Sequence, residues 1–238
     1  MTMLPSRFPQ LGLPLKIRQE ATFDNFFCPP ASIRGQVVSA LKRFPLPDTL
    51  VYIWGGSGIG ANHLVQAACN NLLALGYRAQ YLPLAELVEF DPESLTSSLE
   101  EVDLVALEGI EAVVNNGPWE EALFRLFNRV RDLGNHLLVT ANQSAYQMDF
   151  SLQDLKSRLC SGLTFHLSGY SDEEKIEILR FRGEMLGLEI SGDAAGFILR
   201  RGSRELGELM NTLNFLDKAS LESQRKLTIP FIKQVMQW

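Results

Sequence analysis

Glycines with the spacing of a phosphate-binding loop follow a short apolar segment near residue 50. In the pattern G-x-x-x-x-G-K-[S/T], backbone N–H groups cradle phosphate oxygens, the lysine supplies charge and the hydroxyl binds Mg²⁺. Ala61 stands here at the lysine position and Asn62 at the hydroxyl position. The sequence therefore predicts a backbone cradle that binds nucleotide weakly or not at all, unless the turn only joins a strand to a helix. The candidate loop consists of Gly55, Gly56, Ser57, Gly58, Ile59, Gly60, Ala61 and Asn62.

The acidic positions that accompany such a loop are also altered. Glu108 lies where a shorter Mg²⁺-binding aspartate is usual, and Gly109 lies where a second acid would polarise water. Glu108 could alternatively be a solvated carboxylate at the end of a strand. Because the lysine, the hydroxyl and the second acid are all missing, we expect that the chain is not an independent ATPase.

The elements that must position this loop are alternating strands and helices. Strands are predicted at residues 49–54, 79–84, 103–107, 137–141 and 163–167, with helices at 62–75 and 118–132. This alternation predicts a parallel sheet covered by helices. After residue 168 the strand patterns stop, and Ser171 with Glu174 forms a capping-box signature. We therefore expect an extended arm at 1–20, an α/β domain at 21–168 and a small all-helical domain at 169–238.

Composition excludes several classes of protein. Lys and Arg number 22 against 28 Asp and Glu, a net charge of −6, which disfavours sequence-specific binding to duplex DNA. The three cysteines form no CxxC pair, and His63, His136 and His166 are scattered, so no metal site is expected. No signal peptide or membrane-spanning segment is apparent, and we expect a cytoplasmic protein.

The altered loop, GGSGIGANHL, resembles the Walker A motif of AAA+ proteins related to the bacterial replication initiator DnaA. The segment LKSRL at residues 155–159 resembles the family's box VII, which would make Arg158 an arginine finger. Residues 201–213 resemble the sensor 2 helix, with Gly207 at the usual arginine position, and residues 140–142 fall at sensor 1. The resemblance implies an AAA+ parallel sheet followed by a helical lid. Arg158 could alternatively form an ion pair with Asp154 or Glu173.

Two further segments resemble the Hda group of this family, the regulatory inactivators of DnaA. One is the C-terminal segment QRKLTIPFIK at residues 224–233, and we expect no DNA-binding domain after Trp238. The other is the arm peptide QLGLPL, which resembles a sliding-clamp-binding motif. Its leucines would enter an apolar groove, or would alternatively pack on the chain's own domain. The predicted clamp-binding residues are Gln10, Leu11, Leu13, Pro14 and Leu15.

The resemblance implies a negative regulator of replication initiation. Such a protein binds the DNA-loaded sliding clamp (the β clamp) and makes ATP-bound DnaA hydrolyse its nucleotide, with Arg158 acting in trans. It implies a DnaA contact at Phe124 and Asn128, although Phe124 and Phe127 could instead both belong to the core. Family members bind ADP, which we expect here at most weakly. A residual nucleotide-binding switch, or a clamp-tethered adaptor without stimulatory activity, remains an alternative, and self-association is left open.

Overall fold

The computed structural model describes residues 17–29 and 31–238. At its centre is a five-stranded sheet in the order β2-β3-β4-β1-β5, in which every neighbouring pair is parallel. The predicted parallel sheet is therefore confirmed. The strands are β1 (Leu50–Trp54), β2 (Ala79–Pro83), β3 (Leu104–Glu108), β4 (His136–Ala141) and β5 (Leu163–His166).

Ten α-helices lie in the described part of the chain. Two 3₁₀ helices, Leu99–Glu101 and Ile110–Val113, flank β3. The predicted clamp-binding residues, 10–15, lie outside the described residues. The α-helices are α1 (Ile33–Lys42), α2 (Ala61–Ala74), α3 (Leu84–Leu87), α4 (Pro92–Thr96), α5 (Gly117–Asp132), α6 (Gln153–Ser161), α7 (Asp172–Met185), α8 (Gly192–Arg201), α9 (Leu206–Ser223) and α10 (Ile229–Met236).

Helices cover both faces of the sheet. On one face, α1 and α2 pack over β1, where Val37, Leu64 and Ile53 are fully buried. On the other face, α5 and α6 pack over a cluster that includes Trp119 and Phe150. Burial of each such side chain stabilises the fold by about 1.5–3 kcal/mol. The two cores fix the strands, and with them the positions of the loops that follow β1, β3 and β4.

The helices α7 to α10 form the predicted helical lid. Its own core contains Leu179, Ile198, Leu216 and Ile232, all fully buried. The capping box at the start of α7 is confirmed, since Ser171 accepts from the N–H of Glu174 and Glu174 accepts from the N–H of Ser171. Among the described residues, the helices are too short or too polar to cross a bilayer.

A buried carboxylate joins the start of α5 to the start of α6. Glu120 is 0% exposed and accepts hydrogen bonds from the N–H groups of Asn115 (2.7 Å), Ser151 (3.3 Å) and Leu152 (2.6 Å). Leu152 is the N-cap residue of α6, whose first turn has no side-chain cap. Because a buried carboxylate needs hydrogen-bond donors, and buried N–H groups need acceptors, this arrangement fixes α6 against α5.

We expect Glu120→Ala to lower the free energy of unfolding by at least about 3 kcal/mol, because each N–H left without an acceptor costs about 1–3 kcal/mol. Chemical denaturation of the whole chain measures this loss. The neighbouring Glu121→Ala is the control, since Glu121 is exposed and pairs only with Arg125 at the surface, a contact worth about 0–1 kcal/mol. Equal losses in the two variants would contradict the bracing role of Glu120.

Candidate functional site

The glycine loop runs from the end of β1 to the start of α2 and has the backbone of a phosphate cradle. Gly58 and Gly60 have φ values of +76° and +87°, a region that favours glycine. A Cβ on Gly55 would lie 2.1 Å from the carbonyl oxygen of Leu167, so packing also requires glycine there. Gly60 is the N-cap of α2 and supplies no side-chain cap. The first-turn N–H groups of α2 therefore have no intrahelical partner, as an anion-binding helix start requires.

The two altered positions of the loop offer no charge to that cradle. Ala61 is buried at 9% exposure and packs with the core under α2, while Asn62 is exposed. The ring of Phe26 covers the end of the loop, since a Cβ on Gly60 would lie 2.7 Å from it. Near this ring, His63 Nε2 lies 2.7 Å from the carbonyl oxygen of Thr22. The segment before α1 is therefore fastened over the start of α2.

Glu108, the candidate metal-binding acid, belongs to a chain of hydrogen bonds. The hydroxyl of Tyr81 donates to Glu108 Oε2, Gln66 Nε2 donates to Tyr81, and the N–H of Arg18 donates to Gln66 Oε1. Burial raises the pKa of Glu108, an effect that the Tyr81 hydrogen bond only partly offsets. Burial, together with Glu108, also raises the pKa of Tyr81. Glu108 is thus not a freely solvated carboxylate, since this chain of hydrogen bonds connects β3 through β2 and α2 to residue 18.

The sensor 1 segment contacts the residues that follow β3. The N–H of Gly109 donates to the Thr140 hydroxyl at 3.2 Å, and the N–H of Asn142 donates to Glu111 Oε2 at 3.2 Å. Gly109 has a φ of +72°, so the chain turns sharply where a second acid would stand. Within the described residues, no three His, Cys, Asp or Glu side chains come together in a group that could hold a metal ion.

Arg158, the predicted arginine finger, lies on α6 and is half-buried. Its guanidinium carbon is 5.9 Å from the centre of the Phe127 ring on α5. The ion pair with Asp154 or Glu173 that the sequence left open does not form, and no other carboxylate in the described part of the chain pairs with Arg158. Arg158 is therefore a cation that lies near an aromatic ring and has no opposite charge paired with it among the described residues.

The predicted DnaA-contact residues lie on α5, beside the helix that carries Arg158. Phe127 is buried at 5% exposure, whereas Phe124 and Asn128 are half-buried. Phe124 packs against the edge of the core, and Asn128 Oδ1 has no hydrogen-bond donor among the described residues. The structure thus separates Phe127, a core residue, from Phe124, which keeps part of its ring at the surface. The contact role itself stays a prediction.

The lid brings no arginine to the loop from the sensor 2 positions. A Cβ on Gly207 would meet open space. Arg204, three residues earlier, pairs with Asp172 at the start of α7 at 3.2 Å. Two residues that organise the site, Glu120 and Tyr81, were not predicted from the sequence. Glu120 gave a weak signal as an acid in the first turn of a helix, but nothing in the sequence indicates its bonds to residues 151 and 152.

Glu108 should make the free energy of unfolding depend on pH, with a contribution that falls as pH rises. Its pKa is raised on folding, so the folded chain retains this proton to higher pH than the unfolded chain does. The contribution of Glu108 to the free energy of unfolding therefore falls as pH rises from about 4.5 through the folded-state pKa. Glutamine at position 108 cannot ionise, so in Glu108→Gln this contribution does not fall as pH rises. Its amide oxygen can still accept from the Tyr81 hydroxyl. We expect the Tm of Glu108→Gln minus the Tm of wild type to increase between about pH 4.5 and pH 7.5. The increase should be about 2–4 °C for each kcal/mol that wild type loses in its free energy of unfolding.

Thermal melts of both chains across this range measure the effect. Glu89→Gln is the matched control, because Glu89 is exposed after α3 and its loss should leave the pH profile unchanged. A Tm difference between Glu108→Gln and wild type that is constant with pH, or that shrinks as pH rises, would show that burial does not penalise the Glu108 carboxylate.

Comparisons with known proteins agree with this fold. A model of the bacterial DnaA ATPase domain matches residues 17–166, and a model of the Hda lid domain matches residues 172–236. Domain III of Thermotoga maritima DnaA is 21% identical, with a TM-score of 0.75, and the match covers 91% of this chain and 95% of that one. AMPPCP-bound DnaA from Aquifex aeolicus is 20% identical, with a TM-score of 0.72 and coverage of 86% and 67%.

The same architecture occurs in the Holliday junction branch migration motor RuvB of Thermotoga maritima. That structure is 17% identical, with a TM-score of 0.68, and the match covers 93% of this chain and 73% of RuvB. At these identities the structural matches establish the fold, whereas the DnaA family model spans more than half of the chain. The chain therefore belongs to the DnaA-related AAA+ family and carries a lid of the Hda type.

Proposed function

We propose that this protein is a negative regulator of replication initiation that stimulates hydrolysis of the ATP bound to the initiator DnaA. In this proposal it acts while bound to the DNA-loaded sliding clamp and supplies Arg158 in trans. The observation that carries the proposal is the state of Arg158, a half-buried cation with no ion-pair partner in the described part of the chain. It lies in a protein of the DnaA-related family whose own phosphate loop has lost its reactive side chains.

The contacts of Arg158 suit an arginine finger. A finger stabilises negative charge that develops on the transferring phosphate and contributes about 10³–10⁵ in rate. A carboxylate paired with the guanidinium would neutralise much of that effect, and no carboxylate of the described residues pairs with Arg158. Phe127 restricts the side chain through a cation–π contact worth about 0.5–1 kcal/mol at an exposed site. Because Glu120 fixes α6 against α5, the base of the finger is rigid as well.

The losses at the phosphate loop are compatible with such a role. ATP, Mg²⁺ and the lysine that holds the phosphates would all belong to the partner. The chain's own Ala61, Asn62 and Gly109 then need no catalytic chemistry. We therefore propose that this protein is not itself an ATPase but activates the ATPase of its partner, and that it binds ADP weakly or not at all.

The clamp-binding role of the arm rests on its sequence and on the Hda-type lid. Burial of each leucine of the peptide in an apolar groove would contribute about 1.5–3 kcal/mol, less the cost of ordering the chain. That balance gives an affinity of about 1 μM. The chain just after the peptide is anchored, since the Asn70 amide donates to the carbonyl oxygens of Arg18 and Ala21. A clamp-bound arm would therefore hold the α/β domain close to the clamp.

The alternative is an adaptor or nucleotide-binding switch without stimulatory activity. The uncapped start of α2 is the observation in its favour, because the cradle could still hold an anion. Titration of the wild-type chain with ADP tests the switch. A bulky residue at Gly58 is not a clean test, since that position has a positive φ and faces Leu206 of the lid.

The finger and the arm can be tested in one assay, the hydrolysis of ATP by ATP-loaded DnaA with clamp on DNA. We expect wild type to stimulate hydrolysis and Arg158→Ala to lose at least about 10³-fold of the stimulation, while still binding clamp. The triple change of Gln10, Leu13 and Leu15 to alanine should fail to bind clamp and fail to stimulate. Arg180→Ala is the control, because Arg180 is an exposed lid residue paired with Glu177.

Two results would contradict the proposal in different ways. If Arg158→Ala stimulates as well as wild type does, Arg158 is structural and the finger assignment is wrong. If the wild-type chain binds clamp but leaves hydrolysis unchanged, the protein is an adaptor, and its regulatory role lies elsewhere.

A further inference from the structure

The first residues of α9, in the lid, lie directly against the phosphate loop. A Cβ placed on Gly58 would be 3.6 Å from Leu206 Cβ, 3.7 Å from the backbone nitrogen of Leu206 and 3.8 Å from Glu205 Oε2. A side chain at position 58 would therefore touch the start of α9, which lies beside the loop at this point. Glu205 and Leu206 of the lid therefore lie next to the cradle where the loop turns through Gly58.

Glu205 uses its side chain in an unusual way for its position. It is the N-cap residue of α9, but its side chain makes no hydrogen bond to the N–H groups of its own helix. Instead, Glu205 Oε2 accepts from the hydroxyl of Ser57 in the phosphate loop at 3.4 Å. Residues 57 and 205 are 148 positions apart, and both are exposed. The carboxylate is thus directed away from α9 and towards the loop.

Charge explains why a carboxylate is favourable at this place. The starts of α2 and α9 both carry the partial positive charge of a helix N-terminus, and Leu206, the first residue of α9, lies beside Gly58 of the loop that leads into α2. In an AAA+ protein with an intact loop, a bound phosphate can neutralise such a site. Here Ala61 has replaced the phosphate-binding lysine, so an anion held there has lost its strongest partner. Glu205 provides one negative charge between the two helix starts.

We propose that Glu205 is an internal anion that latches the lid onto the phosphate loop without nucleotide and disfavours the entry of phosphate groups. The contact is an autoinhibitory element of the nucleotide site, and it does not depend on the function proposed for Arg158. It holds the start of α9 against a phosphate loop that keeps its glycines but lacks the lysine and hydroxyl side chains.

A second set of contacts, which does not include the phosphate loop, attaches the lid to the α/β domain. Arg182 of α7 donates to the carbonyl oxygen of Asn25 at 3.2 Å, and the rings of Phe27 and Phe181 lie 5.8 Å apart. The guanidinium of Arg34 stacks over Tyr170 at 3.6 Å from the ring centre. Because this attachment does not involve Glu205, removal of the Glu205 carboxylate should loosen the loop contact while the lid stays folded and attached.

Hydrogen–deuterium exchange on the full chain tests the latch. We expect Glu205→Ala to speed loop exchange, measured at the hydrogen-bonded N–H of Leu64, which donates to Gly60 at the end of the loop, by at least about tenfold, because a released loop lets the first turn of α2 open more easily. Exchange within α8 should be unchanged, which reports an intact lid. Glu208→Ala is the matched control, because Glu208 is an exposed acid one turn further along α9 whose carboxylate accepts from Asn211 of its own helix. Loop exchange equal to that of wild type in Glu205→Ala would overturn the latch.

Calorimetric titration with inorganic pyrophosphate tests the exclusion of phosphate. At low salt, Glu205→Gln should bind pyrophosphate at least about tenfold more tightly than wild type, because one negative charge next to the cradle is removed. Glu208→Gln, with the same change of net charge, should stay close to wild type. The exclusion is disproved if Glu205→Gln gains no affinity, or if the two glutamine variants gain it equally. In the second case only the overall charge of the chain matters.

Discussion

The parallel pairing of β1 with β4 on one side and β5 on the other decides where the phosphate loop, the sensor 1 segment and the start of the lid lie. This pairing aligns Trp54 with Ala141 and with His166, so the phosphate loop, the sensor 1 segment and the connection to the lid all leave the sheet at one edge. The carbonyl of Leu167 then closes on Gly55 so tightly that no side chain fits there. The glycine loop is therefore kept by packing as well as by any ligand.

The positions that would perform ATP chemistry in this fold have structural contacts here. Ala61 belongs to the core under α2, and Glu108 receives a hydrogen bond from Tyr81. Arg204 pairs with Asp172 instead of reaching the loop. Arg158 differs from them, because it lies at the surface between α5 and α6 without a partner charge among the described residues. Of these residues, Arg158 is the one whose charge is not used within the described part of the chain.

The sequence predicted the features that depend on local signals. Strand and helix alternation, Pro118 near the start of α5, Gly134 after its end and the Ser171–Glu174 capping box all lie in the structure where the patterns indicate. The helix α1 was missed, although Ser32 caps it locally. The contacts of Glu120 with Ser151 and Leu152, and of Glu108 with Tyr81, could not be predicted, because these partners lie 27 to 32 residues away along the chain.

The hydrogen-bond chain from Arg18 through Gln66 and Tyr81 to Glu108 has an evolutionary consequence. A lineage that regained lysine at position 61 and a hydroxyl at position 62 would recover phosphate affinity before it recovered hydrolysis. Its acid would still be committed to the segment that precedes α1, and releasing it would loosen that segment. Substitutions at positions 61 and 62 alone would therefore leave Glu108 engaged by Tyr81.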